Sequence, residues 1–156
     1  MKLCSRVAAI AAAVVATVAL SAPSSSAAVE ANPYTPEEAC QNDFGGTWSR
    51  ATDGHRDVRT PSGAKWGDVW LMYSSGANCV ATIKSVDVGV STWTEAWLMV
   101  EGAPAWKVDD GAFQYYAAVK AGANRLCVMY AGDIYRTASA TGTVATGARY
   151  EWGNCG

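Results

Sequence analysis

The stretch "TWTEAWLMVEG", residues 92–102, alternates in a way that decides the fold. Successive side chains of a strand point to opposite faces. Thr92, Thr94, Ala96, Leu98 and Val100 therefore share one face, and Trp93, Glu95, Trp97, Met99 and Glu101 share the other. The first face is small and aliphatic and reads as core, with Leu98 and Val100 at its centre. The second holds two carboxylates and should meet water, which leaves Trp93 and Trp97 partly exposed. Four residues at roughly 3.3 Å each put the two indoles about 13 Å apart, a spacing that suits stacking on alternate units of an extended sugar chain. On that reading Trp93, Trp97 and Tyr116 are the stacking rings, and Glu95 and Glu101 accept sugar hydroxyls. The other reading is packing: seven tryptophans compete for the interior of one small domain, and aromatic rings dominate small cores because each buries so much area.

Outward from this stretch, short runs of strand character recur between turn residues. "DVWLMYSS" (68–75) and "NCVATIKSV" (78–86) flank Gly76-Ala77 and predict a hairpin. "AFQYYAAVKA" (112–121) and "RLCVMYAG" (125–132) are further strands, and "DIYRTAS" (133–139) with "TGTVATGARYEWGNC" (141–155) closes the chain. Phe113, Tyr115, Ala117 and Val119 form a core face opposite Gln114, Tyr116 and Lys120; Val69, Leu71 and Tyr73 oppose Trp70 and Met72. "VDDGAF" (108–113) reads as a turn, since Asp-Gly favours hairpin turns and alternating calcium ligands are missing. With fifteen glycines and no long helix-period segment after the first 28 residues, the fold class is all-β: a small antiparallel sandwich or barrel.

The N-terminus has a different character. Lys2 and Arg6 precede an apolar run from Val7 to Leu20, followed by "SAPSSSAA", the layout of a secretory signal peptide. The run is about 14 residues, short of the roughly 20 that cross a bilayer as a helix. Small residues at Ser26 and Ala28 place cleavage after residue 28, with Ala31 as a second position. The expected division is a signal peptide over 1–28 and one secreted all-β domain over 29–156, with no membrane contact after cleavage. Twelve basic residues become ten when Lys2 and Arg6 leave, against fourteen acidic ones, so net charge moves from −2 to −4. That acidity argues against nucleic acid, whose binding depends on neutralising phosphates.

Four cysteines remain in an exported chain, so two disulfides are expected among Cys40, Cys79, Cys127 and Cys155. Three pairings are open; Cys40–Cys79 with Cys127–Cys155 is favoured because each link stays within one half of the chain. No metal site is expected, since no C-x-x-C pair exists and there is one histidine. "ANPYTPEEAC" (31–40) reads as an extended arm with a helical turn over Glu37–Cys40, tied down by Cys40. "GGTWSRATDGHRDVRTPSGAKWG" (45–67) reads as one or two short strands joined by exposed loops. Gly-Ala-Asn recurs before a cysteine at 76–79 and at 122–127, an echo that two equivalent hairpins or chance would both produce.

Catalytic signals are weak. His55, within "TDGHRDVR", has Asp53 and Asp57 nearby, but no G-x-S-x-G elbow accompanies it and every mature cysteine is expected to be oxidised. Glycosidases need two carboxyl groups roughly 5–10 Å apart, whereas Glu95 and Glu101 on one strand lie about 20 Å apart. No phosphate-binding glycine motif and no Asn-x-Ser/Thr acceptor occurs. No catalytic residue is assigned and no cofactor is called for.

Several pieces together, "ANPYTPEEAC", "LMYSSGANCVATIKS", "YYAAVKAGANRLCVMY" and a terminal "GNCG", resemble the spore-associated protein A family, small secreted proteins of filamentous, spore-forming actinobacteria. The resemblance covers Asn32 to Cys155 and is one of whole layout, not of a catalytic motif. It implies an extracellular protein at the spore or aerial-hypha surface without a known enzyme activity, and it supplies no functional residues; the expected partners are spore or cell-wall surface polymers. A carbohydrate-binding module is the second reading. A secreted protease inhibitor presenting "SSGAN" beside Cys79 is the third.

Overall fold

Strand alternation extends well beyond residues 92–102 and, among the described residues, builds eight strands behind one short helix. The computed structural model describes residues 31–155; the expected signal peptide, 1–28, lies outside the described residues. In chain order the elements are α1 (Pro36–Phe44), β1 (Ser49–Arg59), β2 (Lys65–Ser74), β3 (Ala77–Lys84), β4 (Thr92–Val100), β5 (Lys107–Phe113), β6 (Tyr116–Gly122), β7 (Val128–Tyr135) and β8 (Val144–Gly153). Every ladder is antiparallel, and the lateral order is β5-β4-β7-β8-β1-β2-β3-β6.

The barrel is nearly closed, and its ring is uneven. β1 and β8 share one bridging pair, Arg59 with Thr146. β5 and β6 stand at the two ends of the lateral order, and the chain crosses between them at Gln114-Tyr115. There the Asp109 carboxylate accepts the Ala118 backbone N–H at 2.9 Å, in place of a ladder carbonyl. The molecule is thus also two four-stranded sheets face to face: β5-β4-β7-β8, and β1-β2-β3-β6. The all-β expectation holds, and so does the favoured pairing of disulfides, Cys40–Cys79 and Cys127–Cys155.

The interior is made by the inward halves of the alternating strands. Leu98, Val100, Val128, Tyr130 and Ile134 of one sheet pack against Val58, Val69, Leu71, Val80, Ala117 and Val119 of the other. Gly132 lets the sheets approach closely: a Cβ there would strike Thr82 Oγ1 and lie 2.9 Å from Val69 Cβ. Thr82 crosses the interior to donate to the Glu95 carbonyl at 2.8 Å. At one end Lys84 is 1% exposed and its ammonium donates to the Val90 and Phe113 carbonyls. Asn32, on the incoming arm, closes that end by donating to the Lys84 and Tyr115 carbonyls.

The outer face of the β1-β2-β3-β6 sheet is covered. α1 starts at a capping box, with Thr35 and Glu38 satisfying each other's backbone N–H groups and Pro36 in the first turn. Ala39 and Cys40 bury against Met72, Cys79, Ala81 and Ala118, with Trp48 at the edge. Met72 and Cys79 therefore face a second core rather than solvent.

Four local readings change. Asp109, Asp110 and Gly111 lie inside β5 rather than in a turn, because the chain reverses on either side of them, at 101–106 and at Gln114-Tyr115. That second reversal also splits "AFQYYAAVKA" into the end of β5 and the start of β6. Residues 49–59, expected as loop and short strand, form one eleven-residue strand. The Gly-Ala-Asn echo does not mark equivalent hairpins: the first is a tight β2–β3 hairpin, the second a crossover between strands that are not neighbours. The two segments instead touch, Ala123 N–H donating to the Gly76 carbonyl at 2.9 Å.

Candidate functional site

The two outer faces differ, and the difference locates the site. α1 and Cys40–Cys79 cover one; among the described residues no helix lies over the outer face of β5-β4-β7-β8. Strand register writes its residues in rows. Asp110, Glu95, Asp133 and Thr146 lie directly opposite one another across four strands, and Val108, Trp97, Ala131 and Ala148 form the next row. Alanines at 131 and 148 leave a hollow between taller neighbours.

That hollow is a cavity of about 250 Å³ lined by Trp97, Trp106, Ala131, Asp133 and Tyr150. Trp106 arrives from the loop between β4 and β5. Its ring centre lies 6.5 Å from that of Trp97 and 6.2 Å from that of Tyr150, with interplanar angles of 80° and 81°. Tyr150 is 64% exposed, so the hollow opens to solvent on that side.

Glu95 and its flanking tryptophans make one unit. Residues two apart on a strand share a face, which brings both indoles to the carboxylate between them. Trp93 Nε1 donates to Glu95 Oε1 at 2.6 Å and Trp97 Nε1 to Oε2 at 2.9 Å. Glu95 is 8% exposed, and both indoles are half-buried. Asp133, opposite Glu95 on β7, accepts the Thr146 hydroxyl at 2.6 Å through Oδ1. Burial, and then the neighbouring Glu95, holds the Asp133 carboxyl above the usual aspartate range.

Of the residues singled out from sequence, Trp97 lines the cavity, and Trp93 and Glu95 support it from behind. Both Glu95 oxygens are already engaged by indoles. Glu101 lies just past the end of β4, where Oε2 faces the Cys127 N–H at 3.3 Å. Tyr116 belongs to the other sheet, packed edge-on against Tyr34 with its hydroxyl on Asp43 at 3.1 Å. Sequence reasoning missed Trp106, Asp133 and Tyr150. The alternation Met129-Ala131-Asp133-Tyr135 was visible, but "DIYRTAS" was split from the strand it continues.

Other clusters are structurally occupied. His55 Nε2 lies 2.5 Å from Asp68, and its ring stacks on Trp70 at 4.1 Å. His55, Asp57 and Asp68 could together hold a cation by their spacing, but the Lys65 ammonium sits 2.7 Å from each carboxylate. Lys65 and Arg59 lower the Asp57 carboxyl to about 2. Asn78, central to the inhibitor reading, is 3% exposed and donates to the Met72 carbonyl. Comparison with protein-family models, with curated proteins and with solved structures returned no match for this chain.

Proposed function

We propose that this protein is a non-enzymatic extracellular protein of the cell or spore surface, and that it holds wall polysaccharide in the Trp97–Trp106–Tyr150 hollow. The observation that carries the reading is three aromatic rings standing around the Asp133 carboxyl group on the outer sheet face that no helix covers among the described residues. Aromatic walls with a few convergent polar groups are the chemistry of small-ligand pockets, and 250 Å³ is below the roughly 300–1,000 Å³ of sites for drug-sized ligands, so one ring is the natural occupant. A binding role fits better than hydrolysis, because both Glu95 oxygens are tied to indoles and the Asp133 partner has no free carboxylate to work with. Two disulfides suit an oxidising exterior, and among the described residues no helix is long and apolar enough to cross a membrane. The resemblance to the spore-associated protein A family supports a surface location in this reading.

Retention on chitin, cellulose, peptidoglycan and isolated spore walls tests this. The wild type should be held by at least one polymer, and Trp106→Ala should be washed off while keeping its circular dichroism spectrum. Retention of Trp106→Ala equal to wild type would sink the assignment to this hollow.

A further inference from the structure

We propose that the hollow selects a cationic sugar, a hexosamine unit whose amine is free and protonated. This rests on the polysaccharide reading and sharpens it. A neutral pyranose stacks on one flat ring face, but here successive rings stand nearly perpendicular, at 80° and 81°. Trp106 is the back wall, with Trp97 and Tyr150 as sides. Upright walls of this kind enclose a compact group, and aromatic faces attract cations.

Charge in and beside the hollow points the same way. Asp110, Glu95 and Asp133 place three carboxyl groups in one row across β5, β4 and β7. The donors that reach Glu95 and Asp133 are neutral: two indoles and the Thr146 hydroxyl. Among the described residues, no Lys or Arg forms an ion pair with any of the three. The nearest basic residue in register, Arg59 opposite Thr146, is held by Asp57 at 2.7 Å. Asp133 is the one acidic residue that lines the hollow itself, beside Trp97, Trp106 and Tyr150, so an ammonium group entering between the rings meets its carboxyl group. An acetylated amine would bring bulk without the charge this hollow lacks.

Tryptophan fluorescence titration of the mature protein at mildly acidic pH, with glucosamine trimer, N-acetylglucosamine trimer and choline, tests the inference. The glucosamine trimer should bind about tenfold tighter than its acetylated counterpart, the scale of one desolvated cation–π contact with a nearby charge. Choline should compete with it. Asp133→Asn retains the acceptor for Thr146 and removes the charge, so it should abolish the preference while leaving the fold unchanged. Equal binding of both trimers, or a preference that survives Asp133→Asn, overturns the inference and leaves polysaccharide binding standing. Choline binding with both trimers silent, or silence from all three probes, overturns the inference; retention on chitin, cellulose, peptidoglycan and spore walls decides the polysaccharide reading separately.

Discussion

Lys84 and Glu95 are buried charges handled in opposite ways. Glu95 receives two neutral donors from its own strand, a W-x-E-x-W arrangement that follows directly from residues two apart sharing a face. Lys84 instead has only carbonyl oxygens around its ammonium, and burial, partly offset by Asp87, lowers its pKa to about 8. An unfolded lysine titrates near 10.4. The folded state therefore resists the proton, so this residue costs stability below pH 8, and the cost fades as pH rises toward 10.4. Measured by denaturant unfolding, wild type should gain on Lys84→Met by up to about 3 kcal/mol across that window. A difference independent of pH would mean the amine is hydrated. At this scale the sequence was informative about Trp93, Glu95 and Trp97, because one strand's alternation suffices. Asp133 was not legible, because its position beside Glu95 depends on a β4–β7 register that neither segment encodes alone.

Among the elements, β5 is the one whose sequence misleads. Asp-Asp-Gly is good turn chemistry, yet the strand continues through it because β4 supplies seven paired residues, from Thr92↔Phe113 to Leu98↔Lys107. Tertiary pairing outweighs a local preference of this size. Asp109 has a specific task there, since its carboxylate completes the hydrogen bonding of β6. Asp109→Ala should destabilise the fold by about 1–3 kcal/mol, the cost of an orphaned buried N–H, and should speed exchange of the Ala118 amide. Asp109→Asn, which keeps an acceptor, should recover most of the loss. If the alanine variant is as stable as wild type, the bridge contributes nothing. β4, by contrast, was legible from end to end, since its two faces differ so clearly in composition.

For the whole molecule, all-β character was legible and the disulfide pairing was narrowed to a favoured one of three, but the division into sheets was not. Strand order follows from long-range contacts, and residues such as Val69 and Gly132 meet only through it. The covered and uncovered outer faces follow from where α1 lands, which the arm sequence did not specify beyond Cys40. The ring also has two thin places, the single β1–β8 bridge and the side-chain closure between β5 and β6. Amide exchange should be slowest at the centres of β2, β3, β4 and β7 and fastest along those two lines, with protection otherwise following burial. Uniform protection around the ring would contradict this division. Cys40–Cys79 ties α1 to β3 on one sheet, while Cys127–Cys155 joins the ends of β7 and β8 on the other. The covalent staples thus run within each leaf and never across the spine, so the two leaves can part like the covers of a book with every disulfide intact.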